Sequence, residues 1–235
     1  MRRNAVQGAT PRSGPSTPEV VAATLRDEVL DGVLLPGARL REECLCERFG
    51  VGRHSARAAL RILVAAGLVV HERNRGASVR PLSRARIDES FDFRIALELG
   101  SLRLALARGA DLTPVEEAVQ ELEALPEHTP WRQLTECHGH IHHEIVRAAG
   151  NDPLLRAYRS CEDELQLLFA VICLDFSAQR LASLHRQLMD GLQLGGEVAL
   201  QALEDDLERS GRAAVLHAFT RSEGANAPAA GRVAR

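Results

Sequence analysis

Two groups of side chains in this 235-residue sequence combine a type and a spacing that could do chemistry. The first is His138-Gly139-His140-Ile141-His142-His143. On a helix, positions i and i+4 lie about 40° apart around the axis, which lets His138 and His142 converge on one point. His140 is turned away by about 200°, and His143 falls on another flank. Two converging imidazoles can ligate a divalent metal; the alternative is a solvated histidine face. A small metal-dependent hydrolase could also use His-x3-His, but it needs a Glu after the first His as general base. Gly139 stands there, so the sequence argues against an enzyme.

The second group is Arg53, Arg57 and Arg61, spaced four apart and therefore lined along one helical stripe. An arginine stripe in the major groove can hold guanine O6 and N7 bidentately, or hold phosphates. Alone it would read as a solvated face, so the surrounding elements must decide. Apolar residues at helical spacing predict helices over Pro18–Asp31, Arg41–Phe49 and Arg53–Ala66, punctuated by Gly32, Gly50 and Gly67. Thr17 is the expected N-cap of the first. Two short apolar runs, Leu68–Glu72 and Ala77–Pro81, flank Arg73-Asn74-Arg75-Gly76, which has hairpin-turn composition. Three helices followed by a hairpin form the plan of a winged helix-turn-helix.

Charge supports that reading. Residues 48–80 hold seven arginines against the single acid Glu72, whereas residues 86–221 hold 13 arginines against 23 acids. A basic segment joined to a long acidic one suggests a polyanion-binding head on a body that does not bind DNA. Aromatic residues are only 3% of the chain against 45% hydrophobic overall, which favours helices packed through aliphatic side chains. Five unevenly spaced cysteines do not make a disulfide framework. No run approaches the roughly 18 apolar residues of a membrane span. The basic, then Pro/Ser/Gly-rich opening lacks a signal-peptide core, so the expectation is a cytoplasmic protein with a disordered tail.

The head residues resemble a known family. Leu34-Leu35-Pro36-Gly37-Ala38-Arg39-Leu40, Leu45-Cys46-Glu47-Arg48-Phe49-Gly50-Val51-Gly52-Arg53, Arg57-Ala58-Ala59-Leu60, Ala66-Gly67-Leu68-Val69 and Asn74-Arg75-Gly76 look like the DNA-binding domain of GntR regulators. The resemblance implies operator binding as a homodimer, with the recognition helix in the major groove and the wing near the minor groove. It carries base and phosphate contacts to Arg53 and Arg57, sequence choice to His54 and Ser55, and close backbone approach to Gly76. With Arg61 on the same stripe and Arg75 in the wing turn, these make the expected DNA-binding set. Glu43 departs from the pattern: some members have a DNA-contacting Arg there, and no contact is transferred to it.

From Ile87 onward the spacing predicts helices over 86–108, 113–124, 130–149, 153–174, 178–194 and 197–219. Phe93-Arg94-Ile95-Ala96-Leu97-Glu98, His142 and Ala148-Ala149-Gly150-Asn151 look like the FCD effector domain of the FadR subfamily. That resemblance implies an all-α bundle of six or seven helices, a ligand cavity within it and a homodimer. Many FCD domains bind a divalent metal through Asp-x3-His and two later histidines. Here His138 stands in the Asp position, His142 matches the His, His185 matches the third ligand, and Asp206 falls where the family usually has His. Such a set implies zinc or another late first-row ion with positions open for a ligand. In the family, the arginine at Arg94 faces the cavity and can meet a carboxylate; the alternative here is an ion pair with Glu98 one turn away. An arginine fork beside an open metal favours a small organic acid.

The expected chain is therefore mainly α: a tail at 1–17, a winged helix-turn-helix at 18–82, a linker at 83–87, a helical effector-binding and dimerisation domain at 88–221, and a tail at 222–235. The expected function is a ligand-responsive repressor of double-stranded DNA operators, sensing a small organic acid through a bound metal, with no membrane partner. A regulator in which the ion itself is the signal is the alternative.

Overall fold

The computed structural model of the protein describes residues 16–72, 75–170 and 177–226. The tail residues 1–15 and 227–235, the turn residues Arg73 and Asn74, and the end of the helix expected over 153–174 lie outside the described residues.

The head begins with α1 (Thr17–Leu30), which buries Val21, Ala22, Leu25, Val29 and Leu30. Its cap is Ser16 rather than the expected Thr17: the Ser16 N–H donates to the Glu19 carboxylate at 2.6 Å, a reciprocal arrangement that satisfies an otherwise orphan helix donor. A two-residue strand β1 (Arg39–Leu40) follows, then α2 (Glu42–Phe49) and α3 (Arg53–Ala65). Gly50 takes the left-handed conformation, φ 63°, that turns α2 into α3. Strands β2 (Val69–Glu72) and β3 (Gly76–Val79) form the expected hairpin, paired antiparallel in the register Val69↔Val79. β1 adds to it through Arg39↔Ser78, giving the sheet order β1-β3-β2. The wing is thus a three-stranded sheet, and the segment just before α2 is pinned to it.

The body starts one turn earlier than expected. Ser83 caps α4 (Arg84–Ala107) by accepting from the Arg86 N–H, so most of the linker expected at 83–87 is helix, with Ile87 buried. After it come α5 (Thr113–Glu123), α6 (Trp131–Ala148), α7 (Asp152–Arg159), α8 (Glu162–Ala170), α9 (Ala178–Leu194), α10 (Gly196–Asp205) and α11 (Ala213–Asn226). The helix expected over 153–174 is broken at Ser160-Cys161, where the Cys161 N–H bonds Tyr158 O three residues back. The helix expected over 197–219 contains a π-helical segment, Asp206–Arg212, between α10 and α11. α6 packs against α4, α5, α7 and α8, and the π-helical segment lies against α4 and α9. Among the described residues no helix is long and apolar enough to cross a membrane.

Candidate metal centre and nucleic-acid interface

α6, α9 and the π-helical segment bring the predicted metal ligands to one buried chamber. The rings of His138 and His142 on α6 lie 4.8 Å apart, and His185 on α9 lies 4.8 Å from His138 and 5.5 Å from His142. One ring nitrogen from each lies within 4.8 Å of the others, and all three side chains are buried. Asp206, the first residue of the π-helical segment, places Oδ2 3.6 Å from His142 Nε2. His140 and His143 face elsewhere, as their helical angles require: His143 bonds Glu162 at 2.6 Å, and His140 lies 3.4 Å from Glu121.

The partners of the outer ring nitrogens fix what the inner ones present. His185 Nδ1 meets the Leu181 carbonyl at 2.8 Å, a contact only a protonated Nδ1 can make, so its Nε2 carries a bare lone pair. His142 Nδ1 meets Glu98 Oε2 at 2.8 Å. Burial opposes the charge on Glu98, but Arg94 and His142 more than offset it and hold the carboxyl below its usual range. An ionised Glu98 accepts only, so His142 also donates from Nδ1, and its Nε2 faces Asp206. Both Nε2 atoms are buried without a hydrogen-bond partner. Stranding a buried polar atom costs about 1–3 kcal/mol, and these two lie beside the Asp206 carboxylate, where a cation could engage both. Burial, then the neighbouring His142, His185 and Arg94, hold His138 well below the ordinary imidazole value; burial also lowers His185. These two rings stay neutral, as metal ligation requires. Three imidazoles and a carboxylate are a donor set that fits zinc.

Arg94 forms the ion pair with Glu98 that its spacing allowed, and it also borders a cavity. Its Nε donates to Glu98 Oε1 at 2.5 Å, extending a chain Arg94–Glu98–His142 that orients the ligand ring. Its guanidinium also lines a cavity of about 310 Å³ between α6 and α8, with His138, Tyr158, Phe169 and, from the head, Arg26. His138 and Phe169, in edge contact at 4.5 Å, are shared between that cavity and a smaller pocket lined by His185 and Asp206. The sequence reading did not foresee Glu98 as the orienting partner of His142, although Arg-x3-Glu in α4 carried the signal.

On the head, Arg53, Arg57 and Arg61 stand exposed along α3, with His54 exposed and Ser55 half-buried in its first turn. Arg57 Nε lies 3.0 and 2.8 Å from the two Glu42 oxygens, and Arg53 Nη2 lies 3.3 Å from Glu43. Arg75 and Gly76 sit at the wing beside the start of α3, lining one cleft with Arg53. Gly76 has φ 78°, and a Cβ there would meet nothing within 4 Å, so its backbone is open to a close approach.

A bridge between head and body was not foreseen. Leu167 of α8 belongs to the head's core, while Leu165, Leu168 and Phe169 of the same helix belong to the body's. Arg26 of α1 bonds Asp163 at 2.7 Å and Gln166 at 3.2 Å. Glu164 takes Arg86 at 2.6 Å and lies so near Gly67 that a Cβ there would be 2.9 Å from its oxygen.

Two family profiles match the chain. The profile described as "Bacterial regulatory proteins, gntR family" matches residues 17–79, and that of the FCD domain matches residues 89–215. The chain is 30% identical over 193 residues, 80% of its own length and 85% of the relative's, to a "Probable D-xylose utilization operon transcriptional repressor" of Paenarthrobacter nicotinovorans. It is 30% identical over 140 residues, 56% of its length and 63% of the relative's, to the HTH-type transcriptional repressor GlaR of Escherichia coli strain K12. A GntR transcriptional regulator from Rhodococcus sp. RHA1 superposes with a TM-score of 0.71 at 29% identity, covering 86% of this chain and 99% of that one. E. coli McbR/YncC shares the fold, with a TM-score of 0.68 at 19% identity over 89% of this chain and 100% of that one.

Proposed function

Because the chain belongs to the gntR family of bacterial regulatory proteins and carries an FCD domain, we propose that this DNA-binding transcriptional regulator is a homodimeric repressor sensing a small organic acid through a bound divalent metal. The family and its named relatives are regulators of transcription, which removes the hydrolase alternative. Two relatives named as repressors support the sign of regulation. His138, His142, His185 and Asp206 would hold the ion, and Zn²⁺ suits the donor set. A bound ion would supply a Lewis-acidic point for a carboxylate, and Arg94 would offer that ligand its guanidinium. The observation that carries the reading is the pair of buried Nε2 atoms of His142 and His185, neither with a hydrogen-bond partner, beside Asp206.

The cavity beside Arg94 favours an organic effector over the ion alone as the signal, since an ion needs no space of about 310 Å³. On this reading the protein would act in the bacterial cytoplasm, where operator DNA lies.

The test is metal analysis of full-length protein purified without chelator, followed by zinc titration calorimetry. About one equivalent per chain is expected in the native protein, and His142→Ala and His185→Ala should abolish it. No metal as purified and none after reconstitution would end the metal reading. DNA binding by metal-loaded protein, with and without a panel of small carboxylic acids, then separates cofactor from signal.

A further inference from the structure

The head carries a second basic feature beside the α3 stripe. A cleft of about 300 Å³ opens where β1, the start of α2, the start of α3 and the wing meet. Arg39, Arg41, Arg53 and Arg75 line it with His71, against the acids Glu42 and Glu43. Both acids are engaged, Glu42 by Arg57 and Glu43 by Arg53. Arg39 and Arg41 are exposed, and neither guanidinium has a hydrogen-bond or ion-pair partner among the described residues. Arg26, Arg86, Arg94, Arg132, Arg186 and Arg212, by contrast, all face carboxylates.

We propose that this cleft seats a phosphodiester of the operator backbone, with Arg39 and Arg41 as its principal ligands and Arg75 closing it from the wing. The proposal rests on the DNA-binding reading and adds a site to it. In a helix-turn-helix the recognition helix enters the groove while the helix before it crosses the backbone. Arg39 and Arg41 belong to that crossing edge: β1 fixes Arg39 opposite Ser78, and Arg41 is the residue immediately preceding α2. Contacts from such an edge set register and carry no base information. The chemistry also answers the departure at position 43. An acid there would repel phosphate, but Arg53 faces it at 3.3 Å, and the two unpaired arginines restore the missing positive charge from positions two and four residues earlier.

The experiment measures fluorescence anisotropy of full-length protein on a mixed-sequence duplex of about 30 base pairs between 50 and 200 mM salt. Each phosphate contact contributes about 0.9 to the slope of log K against log[salt]. Arg39→Gln and Arg41→Gln should each flatten the slope by about that amount, and the double variant by about twice as much. Arg156→Gln, on an exposed body position, should leave it unchanged. Glu43→Gln, on a side chain 77% exposed and therefore safe for folding, should tighten binding at low salt. Unchanged slopes in the cleft variants, equal flattening by Arg156→Gln, or no tightening by Glu43→Gln would each overturn the site. Wild-type protein that shows no salt-dependent binding would instead overturn the DNA-binding reading beneath it.

Discussion

Arg57 and Arg94 each hold one glutamate, in opposite surroundings. The Arg57 side chain is 57% exposed, so its pair with Glu42 is screened by water and adds little to stability. That pair can be exchanged for a base edge or a phosphate at small cost. Arg94 and Glu98 are 2% and 0% exposed, and their charges cannot be exchanged for water. Removing one partner of such a pair leaves a buried charge and costs about 3–5 kcal/mol. Glu98→Gln should therefore destabilise the metal-free protein by about that amount in urea unfolding. The same change takes the anionic acceptor from His142, so zinc affinity should fall by about 10–100-fold. A Glu98→Gln protein with wild-type stability and wild-type zinc affinity would refute the Arg94–Glu98–His142 chain.

At the scale of elements, the π-helical segment does what an uninterrupted α10–α11 helix would not. It opens with Asp206, 3.6 Å from His142, and Gly211 lets it lie against Phe91: a Cβ there would be 2.9 Å from the Phe91 ring. Phe91 is fully buried and packs edge-on to Phe169, so it has little room to yield. Gly211→Ala should then cost about 1–3 kcal/mol in thermal or urea unfolding, with weakened zinc binding because Asp206 shifts with the segment. Wild-type stability would mean the close approach is absorbed elsewhere. The segment also marks where the sequence stopped being legible. Aliphatic periodicity and Gly or Pro punctuation revealed the head helices, the hairpin and most body helices, because burial imposes that pattern on any helix. A π turn inserts one residue without disturbing the local apolar pattern, so nothing in the residue types announces it. The break at Ser160-Cys161 was hidden because neither residue is a Gly or Pro that would mark a helix end. His138 and His142 were readable because their pairing is local to one helix. The Glu98 contact joins α4 to α6, and no spacing rule spans it.

At the scale of the whole molecule, α8 was the least legible element, and it is the one that joins head to body. Leu165, Leu167, Leu168 and Phe169 crowd its sequence with apolar residues, which says that it is buried on several sides but not against what. Leu167 enters the head's core while Phe169 touches His138, so one short helix contacts both the reading domain and the proposed sensing chamber. Asp163 and Gln166 fasten it to Arg26 of α1. A ligand shifts a distant site only by preferring one arrangement of the element between them, and α8 is placed to be that element. Zinc should accordingly change affinity for DNA, and by linkage DNA should change affinity for zinc by the same factor, of about 5–150. The double variant Arg26→Gln, Asp163→Asn cuts that polar tie without replacing a proposed zinc ligand or a residue of the DNA-binding set. It should retain zinc binding in calorimetry and duplex binding in anisotropy, while the ratio of DNA affinities with and without zinc moves toward one. If the double variant keeps the wild-type ratio, coupling runs through another contact, for which the Arg86–Glu164 pair at the start of α4 is the next candidate.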